Sequence, residues 1–436
     1  MIYENIFVNK IACILAFIAI AAVSKSTQAA SIIRDISEEE ITPQSLVLPY
    51  FFSSESLGLS YGVGGGVSGY LQDQMTLMGA ALFSTKGAKA MYFLGNQIQI
   101  PKTQRLFLDV RFSIGRYPDQ RGYFNGNPEY AHERAGSNES SDDNYVLANA
   151  TDDWLDFDFE YVLPIGAGRD NAIQLYRLDK GVLAQGATGG NEWNPLHSGL
   201  TMLSVMPFIR SQGFETETGD KIFESSGIKL SVAYDNTDFP NNPSRGSKQG
   251  FDLRRDFGGG QVEDAWTQIE FSASKFFPMG KGKYSRQRVL GLNFWTSDAP
   301  TWKETTTEAG RELTNAPPFY MGSTLGGLYR LRAYTSARFH DKSAIYYSAE
   351  YRYMLRWNAI GNIKMLQIFN IDWWQLMGFA ELGRVAPGWD IQELHSDMKW
   401  DAGIGLRAMI SKAVLRLDVA ANDDIWSVWV MAGQAF

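Results

Sequence analysis

Residues 345–355 read IYYSAEYRYML. Ile345, Tyr347, Ala349, Tyr351 and Tyr353 share one parity, and Ser348, Glu350 and Arg352 hold the other. Successive side chains of a strand point to opposite faces, so this stretch is a strand with an apolar wall and a charged wall. The same period runs outward in both directions. Phe379, Glu381 and Gly383 stand opposite Leu376, Ala380 and Leu382. Leu155, Phe157, Phe159 and Tyr161 stand opposite Asp156, Asp158 and Glu160. Ile228, Leu230, Val232 and Tyr234 oppose Lys229, Ser231 and Asp235, and Leu106 to Ile114 alternates with Asp109, Arg111 and Ser113.

A large soluble sandwich also alternates. These strands run to about 10 to 13 residues, twice the usual ~5–6, and their charges lie mid-strand while Tyr, Phe and Trp gather near the ends. That is the signature of a membrane barrel, whose lipid face is apolar and whose interior is polar. Strands are expected at 57–70, 75–85, 89–100, 104–116, 153–163, 171–180, 200–213, 223–236, 247–257, 264–277, 286–296, 344–356, 372–384, 398–409, 411–421 and 425–436. Sixteen is even, as closure of a bacterial single-chain barrel requires. The expected fold is all-β: a sixteen-stranded antiparallel transmembrane barrel closed between first and last strands. Domain boundaries follow as a signal peptide over 1–29, a short periplasmic segment over 30–56 and the barrel over 57–436.

Composition supports this reading. Lys10 precedes an apolar run from Ile11 to Val23, and Thr27-Gln28-Ala29 ends in small residues, the layout of a secretory signal. The single cysteine, Cys13, lies in that segment, so disulfides and thiolate metal sites are excluded after cleavage. Net charge is −8; removing Glu4, Lys10 and Lys25 makes it −8 − 1 = −9, which argues against nucleic-acid binding. Beyond the signal no apolar run reaches eighteen residues, so a membrane-bound chain must cross as a closed barrel. His132, His197, His340 and His395 lack metal-ligand spacing, and no nucleophile elbow or phosphate loop occurs, so no enzyme activity, metal or cofactor is expected.

The longest polar interruption, 297–343, contains MGSTLGGLYRLRAY at 321–334. Loops of this length are functional or disordered, and Leu328, Tyr329, Leu331 and Tyr334 around Arg330 and Arg332 suit one that folds into something. With an internal N-terminus it lies outside, as the sixth extracellular loop. The acidic, Asn-rich stretch 118–152 then falls on the periplasmic side, where turns are normally short.

Several stretches in the C-terminal half resemble one family, the BamA/TamA-type surface antigens: outer-membrane protein assembly factors and two-partner secretion translocators. YDNTDFPNNPSRGSKQGFDL (234–253) is similar to a periplasmic turn of that family. GGLYRLRAY (326–334) resembles its sixth-loop tip, YYSAEYRY (346–353) and FAELGRV (379–385) its following strands, GIGLRAMISKAVLRLDVA (403–420) its last hairpin, and WVMAGQAF (429–436) an outer-membrane sorting signal with Gly433 and Phe436. The resemblance implies a loop folded into the lumen. Its tip, Arg332, Ala333 and Tyr334, would place Arg332 against lumenal acids at Glu350 and Glu381. Ala333 stands where the family tip carries glycine, and Arg330 is a second arginine within reach.

The resemblance further implies insertion or translocation of substrates at the outer membrane, here without the periplasmic POTRA domains. The expected partners are outer-membrane lipids and a periplasmic or outer-membrane protein. The glycines of 57–70 admit two readings, a pliable closing seam or simple relief of curvature. The residues themselves leave two other functions open, a small-solute pore gated by the sixth loop and a non-transporting surface barrel.

Overall fold

The computed structural model describes residues 29–40, 43–54, 57–130, 132–216, 219–259, 264–307, 310–358, 371–410 and 412–436. The expected signal peptide lies almost wholly outside these. One antiparallel sheet of sixteen strands dominates, each strand bonded to the next in chain order. The strands are β1 (Gln44–Ser54), β2 (Gly58–Ser68), β3 (Thr76–Ser84), β4 (Lys89–Gln99), β5 (Leu106–Gly122), β6 (Val146–Val162), β7 (Leu200–Glu215) and β8 (Lys221–Asp235). Then follow β9 (Gly246–Asp256), β10 (Thr267–Pro278), β11 (Ser285–Asp298), β12 (Ser343–Leu355), β13 (Ile371–Ala386), β14 (Lys399–Ile410), β15 (Ala413–Ala421) and β16 (Trp426–Ala432). Among the described residues no ladder joins β16 to β1. The one described α-helix is the single turn Ile391–Leu394, with Asp390 accepting from the backbone N–H of Gln392 and Glu393.

Parity sorts the two faces as the sequence implied. Val205, Ile209, Leu230, Val232, Phe157, Phe159, Leu376, Leu382 and Ile404 are exposed on the outer face. Glu350, Arg352, Glu381, Arg407, Arg416 and Asp418 are buried on the inner one.

Three expectations need correction. The first strand is β1, not 57–70; QSLVLPYFFSS hides its period because Leu48, Pro49, Tyr50, Phe51 and Phe52 run together. Pro49 lacks an N–H, which confines it to an edge strand, and β1 is an edge. The glycine-rich stretch is therefore the second strand, paired on both sides, and cannot be the seam. Finally, 171–180 is largely extended, but its strand Gln174–Asp179 joins a separate three-stranded sheet, parallel to Ser31–Asp35 and antiparallel to Val182–Gln185.

One strand gained before β2 and one lost after β6 leave the total unchanged. They do shift the parity between. The 123–145 connection now follows β5, an odd strand, and emerges on the same side as the 299–342 connection after β11. The two touch: Tyr123 and Thr335 hydroxyls lie 2.8 Å apart, and Arg338 Nη2 donates to Asp142 Oδ1 at 2.8 Å. The small sheet covers the opposite end of the main sheet. Its Tyr176 and Leu178 pack with Phe239, Met354, Trp373, Met409 and Val414, and Trp373 Nε1 donates to the Gly181 carbonyl at 2.8 Å.

Candidate functional site

The 299–342 connection turns back onto the polar face of the main sheet. Its neck is made by Gly326 and Gly327, at φ +103° and +105°, whose N–H groups donate to the carbonyls of Arg330 and Tyr334 at 3.0 Å each. Such φ values suit glycine. Leu331 takes the left-handed conformation at φ 51°, while Ala333 is not among the positive-φ residues. Alanine at 333 thus needs no glycine geometry. Leu331, Ala333, Tyr334 and Phe339 pack with Trp295, Tyr346, Met377, Phe379 and Val385 of the wall. Gly383 of β13 makes room for this approach: a Cβ there would lie 2.9 Å from Leu325 Cδ1 and 3.2 Å from the Ile345 carbonyl oxygen.

Arg332 is fully buried. Its Nε donates to Glu381 Oε1 at 2.9 Å, Nη1 to Asp418 Oδ2 at 2.6 Å and Nη2 to Glu350 Oε1 at 3.2 Å. Its backbone N–H reaches Glu381 Oε2 at 2.7 Å, and its guanidinium carbon lies 3.6 Å from the Phe379 ring centroid. Burial pulls the Arg332 pKa down, but Glu381, Asp418 and Glu350 outweigh it and hold it well above the ordinary arginine value. The planar fork of arginine meets carboxylates on three strands at once, which an ammonium could not do.

The structure therefore brings Arg332, Glu350 and Glu381 together. It adds groups that the sequence reading did not single out. Arg352 and Arg407 both bond Glu350, at 3.1 Å and 2.9 Å. Arg416 lies 3.8 Å from Asp418 and donates to the Leu328 carbonyl at 3.0 Å. Asp401 accepts from the Ala333 N–H at 2.7 Å. Four buried arginines (332, 352, 407, 416) thus meet three buried acids (350, 381, 418), with a fourth, Asp401, on the loop backbone beside them. Pairing of this kind is required where water is excluded, since an uncompensated charge is costly.

The terminal strand grips the tip from its edge. Trp429 Nε1 donates to the Arg332 carbonyl at 2.6 Å, and Ser427 Oγ to the Ala333 carbonyl at 2.7 Å. Tyr334 Oη accepts from Asn422 Nδ2 at 2.8 Å. Past Ala432 the chain departs from the expected strand. Gly433, at φ 82°, turns it inward; Gln434 bonds Arg407, and Phe436 stacks on Phe276 with centroids 5.8 Å apart. Phe436 therefore faces Arg352 inside rather than continuing the outer row of Trp426 and Val428.

Arg330 does not compete for the acids that bind Arg332. It lies over Trp295, 3.6 Å from the ring centroid, and 4.0 Å from Glu270 on β10. Burial lowers its pKa, with Glu270 opposing. Further out, His340 Nε2 lies 2.6 Å from the Tyr123 carbonyl, so that nitrogen carries the proton. Burial, reinforced by Arg134, pulls its pKa down to about 3. Of the Asp156, Asp158 and Glu160 row, Asp156 and Asp158 meet Arg111, at 3.9 Å and 3.4 Å, while Arg105 caps the Gly168 and Arg169 carbonyls at 2.6 Å each. Among the described residues no cluster of potential ligands could hold a metal ion.

A sixteen-stranded meander with an apolar outer face, whose polar face receives an arginine-tipped loop from between β11 and β12, defines a class of barrel-forming membrane protein. The Omp85 superfamily domain matches residues 49–426, and the chain belongs to that superfamily. Two similar solved structures are BamA from Haemophilus ducreyi lacking POTRA domains 1–3 and CdiB from Acinetobacter baumannii. The first is 11% identical with a TM-score of 0.47, over 91% of this chain and 71% of that one. The second is 11% identical with a TM-score of 0.47, over 89% of this chain and 59% of that one, so the chain spans less than two thirds of CdiB. No curated protein sequence matches this chain.

Proposed function

We propose that the chain is an outer-membrane barrel, exported by residues 1–29 and closed where β1 meets β16, which inserts or translocates polypeptide substrates. The observation that carries this reading is the grip of Ser427 and Trp429 on the carbonyls of Ala333 and Arg332. It makes the docked loop and the last strand one mechanical unit. Undocking the tip releases β16 to part from β1, and an opened edge is a template for another strand. The outer apolar face contacts lipid, and a periplasmic or outer-membrane partner delivers substrate. The activity is not enzymatic and needs no cofactor.

The purified protein in liposomes should accelerate folding of a second, urea-denatured barrel several-fold over empty vesicles. A rate equal to empty vesicles would sink the proposal. A second reading, a small-solute pore, is favoured by a cavity of about 520 Å³ between the β5–β11 wall and the loop. It predicts conductance in planar bilayers that rises when 299–342 is shortened, and silence from both proteins would exclude it.

A further inference from the structure

The cavity beside the loop has a chemistry that neither reading uses. Lys229 on β8 and Arg254 on β9 are direct cross-strand partners, and both line the cavity. Directly opposed residues have Cβ atoms about 4.5–5.5 Å apart, and like charges there destabilise the sheet. Lys229 is only 7% exposed. Among the described residues it has no hydrogen bond and no ion pair. The carboxylates of Asp156 and Glu160 on β6 act on Lys229 from a distance, but neither touches its ammonium, so its three donors stay open to a bound group.

The surroundings set the sign and size of that acceptor. Arg330 of the loop borders the cavity from above, and Arg111 of β5 borders it beyond Met206, whose sulfur lies 3.1 Å from Arg111 Nη2. The nearby acids are largely engaged. Glu270 accepts from Trp295 Nε1 at 3.0 Å and lies 3.7 Å from Arg254, and Asp156 lies 3.9 Å from Arg111. Across the whole lining six basic side chains face four acidic ones and the C-terminal carboxylate of Phe436. Arg254 keeps one guanidinium nitrogen, Nε, without a hydrogen-bond partner. A compact anion with several acceptor oxygens could take donors from Lys229 and Arg254 together, which a monovalent halide does less well.

We infer that Lys229 and Arg254, flanked by Arg330 and Arg111, form a lumenal site for a small dianionic oxyanion of the phosphate class. The site lies beneath the loop, so occupancy joins β8 and β9 to the loop through Arg330. It stands apart from the carboxylates that hold Arg332, and it does not rest on either functional reading.

The test uses the full exported chain in detergent, with inorganic phosphate as probe and chloride at matched ionic strength as reference. Thermal melting and isothermal titration should both report phosphate binding. Glycerol phosphate in a parallel arm distinguishes a free ion from an organic ester: tighter binding of the ester assigns the site to esters, tighter binding of phosphate to the free ion, and both support the class. Lys229→Met should weaken phosphate binding at least tenfold, because it removes one of the two central donors. Arg254→Gln should weaken it in the same way, and Lys221→Met, at the exposed end of β8, should leave it unchanged. The inference fails if phosphate shifts melting no more than chloride does, or if both Lys229→Met and Arg254→Gln retain the wild-type affinity.

Discussion

Reversing the charge at the loop tip is the sharpest perturbation the structure offers. Arg332→Glu removes three charge-assisted side-chain bonds, to Glu381, Asp418 and Glu350. It also changes a buried cluster of four arginines and three paired acids into three and four. Breaking a buried pair costs about 3–5 kcal/mol, because the partner is left charged and dry. The reversal lies at or above the upper end of that range. Each ~1.4 kcal/mol is tenfold in a population, so the undocked fraction should rise at least a hundredfold.

Trypsin on intact cells reads this directly. Arg338 is 2% exposed when the loop is docked, its guanidinium held by Ser140 and Asp142. Cleavage after Arg338 therefore requires opening, and its rate follows the open population when reclosing is fast. Cleavage after Arg338 should be slow in wild-type cells and at least a hundredfold faster in Arg332→Glu cells. A rate within threefold of wild type would refute the docked tip as the element that holds the loop.

The same protease readout serves smaller changes. Trp429→Phe deletes only the donor to the Arg332 carbonyl, about 1 kcal/mol, and should speed cleavage roughly fivefold; no change would mean that β16 does not hold the tip. Gly383→Val would force a side chain against Leu325 and the Ile345 carbonyl, an overpacking cost of about 1–3 kcal/mol, and an undisturbed loop would argue against this close approach. His340 supplies a pH dependence. Its pKa falls from 6.5 to about 3 on docking, so the undocked state binds the proton first and docking weakens as pH drops below about 6.5, by about 2 kcal/mol at pH 5. Asp341, whose pKa burial raises against the pull of Arg134, acts in the opposite sense. Comparison with His340→Gln isolates the histidine: the variant should lose this slope between pH 7 and 5, and an identical slope would reject the assignment.

Parity made much of this site readable. Glu350 and Glu381 sit mid-strand among aromatic residues, so their inward aim follows from a period of two, and the resemblance pointed to Arg332 as their partner. The same parity places Asp401, Arg407, Arg416 and Asp418 inward, yet their contacts join strands through a loop that carries no period. That is why the arginine and carboxylate cluster needed the structure. β1 was lost because five bulky residues interrupt its alternation. Gln174–Asp179 was read correctly as a strand and wrongly as a wall, since periodicity reveals extension but not the partner, and its partner Ser31–Asp35 lies more than a hundred residues away. Correcting both moved the 123–145 connection to the loop's own side, where its Arg134 meets Asp341.

The central claim is that the loop tip and the last strand move together and that their separation permits assembly. The chain's only cysteine is Cys13, so Cys13→Ser with Ala333→Cys and Ser427→Cys leaves two unique thiols at a contact that now spans 2.7 Å from Ser427 Oγ to the Ala333 carbonyl. A short thiol-reactive linker should join them in intact cells, and the joined protein in liposomes should lose its acceleration of substrate folding, with recovery when a cleavable linker is cut. Absence of cross-linking, or full activity in the joined protein, would contradict the account.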